Sequence, residues 1–171
     1  MTRKQPRPNH AVTAAEIPHA PALLDALARS PAALAGYLGF HGGLARGRLS
    51  AVERALIGLM VAQRCSSAYW LSVQAGQARE AGLTTNQIAA AREGCADSER
   101  ATALLFLAGK AVLNDGALSD ADLTAVRQAG VSDQDIVEAI AQVGLNLTAA
   151  FVGHTARLQL DFPPAPPLLA Y

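Results

Sequence analysis

This chain is poor in residues that many protein functions require. Its 171 residues include only two cysteines, 5% aromatic residues and 16% charged residues, and the formal net charge is zero. Two cysteines, Cys65 and Cys95, cannot form the disulfide framework of a small secreted protein, so the expected compartment is the cytoplasm. A balanced charge without a basic stripe gives no electrostatic reason to expect a nucleic-acid partner.

Signals for a metal, a phosphate-bearing cofactor or a membrane are also missing. No spacing of histidine and acidic residues is typical of a metal site, and no glycine-rich loop is suited to hold a phosphate. No apolar run approaches the length of a membrane span, and no apolar segment follows the basic residues near the N-terminus. We therefore expect no cofactor and no membrane partner, while a small-molecule ligand stays compatible with the composition.

What the chain does contain is helix-forming sequence. It is 51% apolar and rich in alanine, which favours helices packed through small side chains. Its length suits one domain. We expect residues 1–19 to form an extended arm and residues 20–171 a single helical domain with a non-helical, proline-rich tail. From the capping residues, the predicted helices are about 30–45, 50–63, 66–82, 84–92, 98–114, 119–129 and 132–158.

A short internal repeat supports this all-helical interpretation. The segment 79–88 (REAGLTTNQI) recurs as 127–136 (RQAGVSDQDI), 48 positions later. In each copy a helix is predicted to end at glycine, an apolar residue follows, and threonine or serine begins the next helix. Two ordinary helix-turn-helix corners suffice to explain the pattern, but the shared register favours a duplicated helical unit.

One segment carries a more specific pattern. Residues 65–83 read CSSAYWLSVQAGQAREAGL, with Tyr69, Ala78 and Gly82 in the spacing of C-x-Y-C-x-x-x-H-x-x-x-A-x-x-A-G-L. That motif marks the site helix of the alkylhydroperoxidase D / carboxymuconolactone decarboxylase family, which this segment resembles. The resemblance implies an all-helical, alkylhydroperoxidase D-like fold. In members with the complete motif it also implies thiol-dependent reduction of hydroperoxides.

At each functional position of the motif this chain has a different residue. The resemblance places Ser67 at the first cysteine, Trp70 at the second and Gln74 at the histidine, while the upstream glutamate of the family falls on Ala55. In an intact site, a thiolate at a helix start attacks peroxide and the second cysteine resolves the sulfenic acid to a disulfide. Histidine and glutamate relay the proton. The resemblance therefore predicts the fold but not this chemistry.

The resemblance covers about residues 20–165 and is greatest to the peroxidase-related branch of the family. GALSDAD at 116–122, Leu145-Asn146 and His154 match that branch. Members of this kind are homo-oligomers, so the resemblance implies a trimer or a hexamer.

The sequence favours an oligomer for a second reason. Residues 101–112 and 136–151 are apolar around much of the helix circumference, and a monomer of this length has limited interior to bury them. The apolar end of the tail, residues 168–171, is expected to pack across a subunit boundary.

Each altered motif position also has a plain structural interpretation. Ser67 suits a helix cap, because a hydroxyl without an adjacent base is a poor nucleophile. Trp70 suits a core position and cannot resolve a sulfenic acid. Gln74 does not titrate, and Ala55 has no carboxylate, so neither can move a proton.

Cys65 and His154 are the remaining candidates for catalysis. Cys65 lies two residues before the first-cysteine position, but a lone cysteine beside apolar segments is more often a small buried hydrophobe. Cys95 has the same interpretation, and pairing the two requires Cα atoms within about 7 Å. His154 suits anion binding or carbonyl polarisation, or else a hydrogen-bonded interface histidine. Asn146, on an apolar face, requires a partner on a neighbouring helix.

Three functions are compatible with these residues. The one we favour is an oligomeric binding or scaffold protein that has lost the cysteine, histidine and glutamate site and is non-catalytic or altered in function. The alternative is a thiol-dependent hydroperoxide reductase that uses Cys65. Non-redox chemistry of the decarboxylase branch ranks last, because its site resembles Y-E-W-x-x-H, whereas Tyr69-Trp70 lacks the acid and Gln74 replaces the histidine.

Overall fold

A computed structural model describes residues 20–160 and 163–168, and within them the chain forms eight helices and no strand. The predicted all-helical fold is confirmed, whereas the predicted arm at residues 1–19 lies outside the described residues. The helices are α1 (Pro21–Ala28), α2 (Pro31–Ala45), α3 (Ala51–Arg64), α4 (Ala68–Glu80), α5 (Thr85–Arg92), α6 (Glu99–Leu113), α7 (Asp120–Gln128) and α8 (Asp133–Thr155).

Side-chain caps begin the helices α2 to α8 where the sequence predicts them. In each, a serine or threonine hydroxyl accepts a backbone N–H of the first turn, which satisfies a donor that the helix leaves unpaired. Four of the caps are reciprocal capping boxes. These are Ser50 with Glu53, Thr84 with Gln87, Ser119 with Asp122, and Ser132 with Asp135.

One helix was not predicted, and another ends earlier than predicted. Helix α1 was not predicted, because its N-cap residue, Ala20, has no side chain that can cap. The buried pair Leu23 and Leu27, one turn apart, is the signal that indicates it. Helix α8 ends at Thr155 rather than near residue 158, because Arg157 adopts a φ of 52° and breaks the helical path.

The repeated segments form two corners of the same geometry. Gly82 and Gly130 both have positive φ, 97° and 85°, which a residue with a side chain rarely adopts. In each corner the residue after the glycine forms a backbone hydrogen bond to the last turn of the helix. The N–H of Leu83 donates to the carbonyl of Ala78, and the N–H of Val131 donates to the carbonyl of Val126. The repeat therefore corresponds to the α4–α5 and α7–α8 corners.

Helix α3 lies at the centre of the fold and packs against α4, α5, α6 and α8. Residues 55–62 are all buried, so this helix is covered around its whole circumference. Small residues at Ala55, Gly58 and Ala62 let the neighbouring helices come close. Helix α3 consequently positions groups from several helices against one another.

Helix α8 is long and apolar enough, by length and composition alone, to cross a membrane, so the prediction that no apolar run approaches that length was too strict. It packs against α1, α2, α3, α4 and α6 and contributes to both apolar clusters of the core. Its hydrophobicity therefore has an explanation within the fold.

The described part of the tail, residues 163–168, is not helical and packs on its own subunit. The N–H of Ala165 donates to Ser72 Oγ at 3.3 Å, and the Arg92 guanidinium donates to the carbonyl of the buried Pro166. The last three residues lie outside the described part of the chain.

Candidate functional site

A cavity of about 320 Å³ opens between α2, α3, α4 and α8. Two of the altered motif positions, Ala55 and Gln74, lie in its wall. We call it the Gln74 cavity, and its volume suits a small ligand. It is lined by His41, Ala45, Ala51, Arg54, Ala55, Gln74, Gln77, Glu80, Ala81, Gln142 and Leu145.

Gln74 is buried and held by specific neighbours. Its Nε2 donates to Gln77 Oε1 at 3.1 Å. Its amide lies directly against Gly58 of α3, where a Cβ atom would collide with it and also approach Asn146 Oδ1. A glycine inside a helix is intrinsically unfavourable, and here it makes room for the amide. The position of the family histidine thus holds a fixed, non-titrating amide.

Ser67 and Trp70 do not reach the cavity. Ser67 caps α4, its Oγ accepting from the Trp70 N–H at 3.4 Å. The Trp70 side chain is only 2% exposed, and its Nε1 donates to Asn146 Oδ1 at 2.9 Å. Asn146 in turn donates from Nδ2 to the carbonyl of Gln142 at 2.8 Å. The residues at the two cysteine positions of the motif therefore serve the helix start and the α4–α8 contact.

The two thiols lie away from the Gln74 cavity. Cys65 caps the C-terminal end of α3, is half-buried, and packs against both apolar clusters. Burial raises the pKa of its thiol. The negative end of the α3 dipole also disfavours a thiolate there. Cys95 is exposed and borders a separate groove of about 460 Å³ between α3, α5 and α6.

His154 is exposed in the last turn of α8 and does not line the Gln74 cavity. Its neighbour Gly153 faces the interior instead, with Tyr69 and Ser67 against it. The sequence resemblance singled out His154, but the structure does not bring it together with Gln74.

Sequence reasoning missed the three polar residues that line the cavity from helices other than α4. His41 comes from α2, Arg54 from α3 and Gln142 from α8. Arg54 directly precedes Ala55, and Gln142 lies one turn before Asn146, so both could have been noticed as neighbours of marked positions. No local pattern indicates His41, because its place depends on how α2 docks.

Among the residues that the structure describes, no group of three or more histidine, cysteine, aspartate or glutamate side chains is arranged to hold a metal ion. The chemistry available in the Gln74 cavity is therefore ionic and hydrogen-bonding recognition by amides, a guanidinium, an imidazole and a carboxylate.

Comparison with known proteins shows a similarity to one protein family. The model of the carboxymuconolactone decarboxylase family matches residues 31–111, which run from the start of α2 into α6. Over that part of its length the chain is similar to the carboxymuconolactone decarboxylase family, and it has an alkylhydroperoxidase D-like helical fold. A search of curated proteins gives no significant match.

Solved structures of low sequence identity share the fold. A protein of unknown function from Agrobacterium tumefaciens, described as a candidate antioxidant defence protein AhpD, is 19% identical over 80% of this chain and 95% of its own, with a TM-score of 0.72. A peroxidase-related protein from Silicibacter sp. TM1040 is 21% identical over 83% and 75%, with a TM-score of 0.70. The debrominase Bmp8, as a cysteine-to-alanine variant with 2,3,4-tribromopyrrole, is 14% identical over 90% and 92%, with a TM-score of 0.69.

Proposed function

We propose that this protein is an oligomeric, small-molecule-binding member of its family that does not reduce hydroperoxides. The observation that carries the proposal is the environment of Trp70. A buried indole, hydrogen-bonded to Asn146, occupies the position where the family motif has its second cysteine. No pair of thiols is present at these positions to react with peroxide. Neither Gln74 nor Ala55 can relay a proton beside them.

The alternative, a peroxidase that uses Cys65, lacks support from the thiol's surroundings. A peroxidatic cysteine reacts as the thiolate, which a lowered pKa favours. Burial raises the pKa of Cys65 instead. The end of α3 at which it lies disfavours negative charge.

We expect the purified protein to show no hydroperoxide consumption above background with a dithiol reductant. The assay compares the wild type with Cys65→Ser and Cys95→Ser, which keep the size of each side chain. Turnover in the wild type that disappears in Cys65→Ser would contradict the proposal and establish the peroxidase alternative.

A positive control can be built into the same fold. The variant Ala55→Glu, Ser67→Cys, Trp70→Cys and Gln74→His places the family residues at the N-cap, one turn into α4, and in the cavity wall. If it stays folded, we expect a peroxide-sensitive disulfide between positions 67 and 70, detected by thiol titration. A folded variant that does not oxidise would show that the motif register is wrong.

The proposal includes a homo-oligomer, a trimer or a hexamer. Helix α2 has no charged residue, yet only Tyr37 and Gly42 of its fifteen residues are buried. Val137 and Phe151 of α8, 70% and 58% exposed, are separated by fourteen residues and so lie on one side of that helix. The exposed Phe40 of α2 packs beside Gly144, midway between them. These three side chains, the α2–α8 patch, support burial against a second copy.

Light scattering at low micromolar concentration is therefore expected to give a mass three or six times 17.7 kDa. The double variant Val137→Glu/Phe151→Glu should reduce the mass to that of a monomer, because it buries charge in the interface. Leu113→Glu is the control, since Leu113 is 62% exposed and lies on α6, a helix that contributes no residue to the patch. A monodisperse wild-type monomer would contradict the oligomer.

A further inference from the structure

Arg54 brings a positive charge to the Gln74 cavity without a neutralising partner. Its guanidinium is half-buried and donates to the carbonyl of Leu49. Among the residues that the structure describes, it forms no ion pair. By contrast, Arg48, Arg100 and Arg127 each contact a carboxylate. A guanidinium has further N–H donors in a planar fork, which matches a ligand carboxylate.

Gln142 brings a second unsatisfied group to the same cavity. Its residue is 8% exposed, and its Oε1 is buried without a hydrogen-bond partner. A buried amide oxygen left unpaired costs free energy, so native proteins nearly always satisfy it. The amide can present either end by rotating its terminal torsion, and a hydroxyl group pairs with either end because it both donates and accepts.

The rest of the wall limits the size and shape of the ligand. Ala45, Ala51, Ala55, Ala81 and Leu145 supply short apolar side chains. The volume of about 320 Å³ lies at the small end of the range of ligand pockets. A short aliphatic chain that joins two polar ends fits this lining.

We propose that the Gln74 cavity binds a small hydroxylated carboxylic acid, its carboxylate on Arg54 and its hydroxyl on Gln142. This inference rests on the proposed binding function and names the class of ligand. Binding of such an acid gives the Arg54 guanidinium an ion pair and gives Gln142 Oε1 a hydrogen-bond donor. Recognition requires both groups of the ligand. A carboxylate alone leaves the Gln142 amide oxygen without a hydrogen bond, and a hydroxyl alone leaves Arg54 without an ion pair.

The test uses calorimetric titration of the full chain with matched six-carbon probes. These are 2-hydroxyhexanoate and 6-hydroxyhexanoate, hexanoate without the hydroxyl, and 1,6-hexanediol without the carboxylate. We expect at least one hydroxy acid to bind about tenfold more tightly than hexanoate, because one additional hydrogen bond contributes about that factor in affinity. We expect the diol not to bind. Binding of the diol as tight as that of the acids, or no binding by either hydroxy acid, would overturn the proposal.

Paired variants assign the two contacts. Arg54→Gln should abolish binding of both acids, whereas Arg79→Gln, an exposed arginine of α4 outside the cavity, should not change it. Gln142→Leu should lower hydroxy-acid binding to the level of hexanoate and leave hexanoate unchanged. The matched control is Gln134→Leu, exposed on the same helix. Equal binding in Arg54→Gln and the wild type would refute the assignment.

Fluorescence of Trp70, the only tryptophan, reports whether each variant keeps its core. If Arg54→Gln does not fold, Arg54→Lys keeps the charge and should retain weaker acid binding without the planar fork. Failure here is separable from failure of the proposed function. Absence of hydroxy-acid binding together with absence of peroxide turnover removes only the ligand class, whereas turnover dependent on Cys65 removes the proposed function.

Discussion

Replacing Trp70 by alanine is expected to lower the free energy of unfolding by about 3–5 kcal/mol. The indole is 2% exposed within the apolar cluster that joins α1, α4 and α8. Its removal leaves a cavity among Tyr69, Val73 and Leu145, which belong to the same cluster and are themselves buried. The loss combines the transfer of the ring to water with the void that remains.

A second substitution separates packing from hydrogen bonding. Trp70→Phe keeps an aromatic ring but leaves Asn146 Oδ1 without its donor, at a cost of about 1–3 kcal/mol. In the background Asn146→Leu that part of the cost should largely disappear, because no orphaned acceptor remains. The double-mutant cycle isolates the coupling of the two residues.

Urea unfolding followed by far-ultraviolet circular dichroism measures these values without relying on tryptophan fluorescence. A change below about 1 kcal/mol in Trp70→Ala would place the ring at the surface, since exposed substitutions rarely cost more. It would also remove the observation on which the proposed function depends.

The helices of this protein could be predicted from local residues because their starts and stops are local. Ser50 with Glu53 and Ser132 with Asp135 satisfy helix donors within one turn, and Gly82 and Gly130 adopt a backbone conformation that other residues avoid. Helix α1 escaped prediction because its start at Ala20 carries no capping side chain.

The candidate site could be predicted only in part. The motif located Ala55 and Gln74 in the cavity wall, because both positions follow from helix register. His41, Arg54 and Gln142 come from three different helices, and their meeting depends on how α2 and α8 dock against α3. His154 has the right sequence position but lies exposed at the end of α8. The packing of the helices against one another decides where such side chains lie, and the helical periodicity of the sequence does not reveal that packing.

Asp135 is the second residue whose loss should have a large effect, because it joins the starts of three helices. It is 2% exposed and completes the cap of α8 by accepting from Ser132 Oγ at 2.7 Å. Arg48, in the segment before α3, donates to it at 3.1 Å. Arg100 of α6 donates to it at 3.1 Å and also to Glu53 of α3 at 2.7 Å.

These contacts make the stability of the fold depend on the ionised form of Asp135. Burial alone raises the pKa of this carboxyl, but hydrogen bonds from Ser132, Arg48 and Arg100 outweigh it and hold the pKa well below its usual range. In the unfolded chain the carboxyl titrates near its ordinary value of about 3.9. On acidification the unfolded state therefore takes up the proton first, and the stabilisation, complete above about pH 5, is lost as the pH falls further.

Asp135→Asn is therefore expected to lower the free energy of unfolding by about 2–4 kcal/mol at pH 7, with a smaller difference from the wild type at pH 4 and a smaller one again at pH 3. Urea unfolding at these pH values measures it. Asp133→Asn is the matched control, because that carboxylate is 78% exposed and its pair with Arg127 should contribute at most about 1 kcal/mol. If the difference for Asp135→Asn stayed constant with pH, the residue would act through the shape of its hydrogen bonds and not through its charge, and the ionic link among α3, α6 and α8 would be refuted.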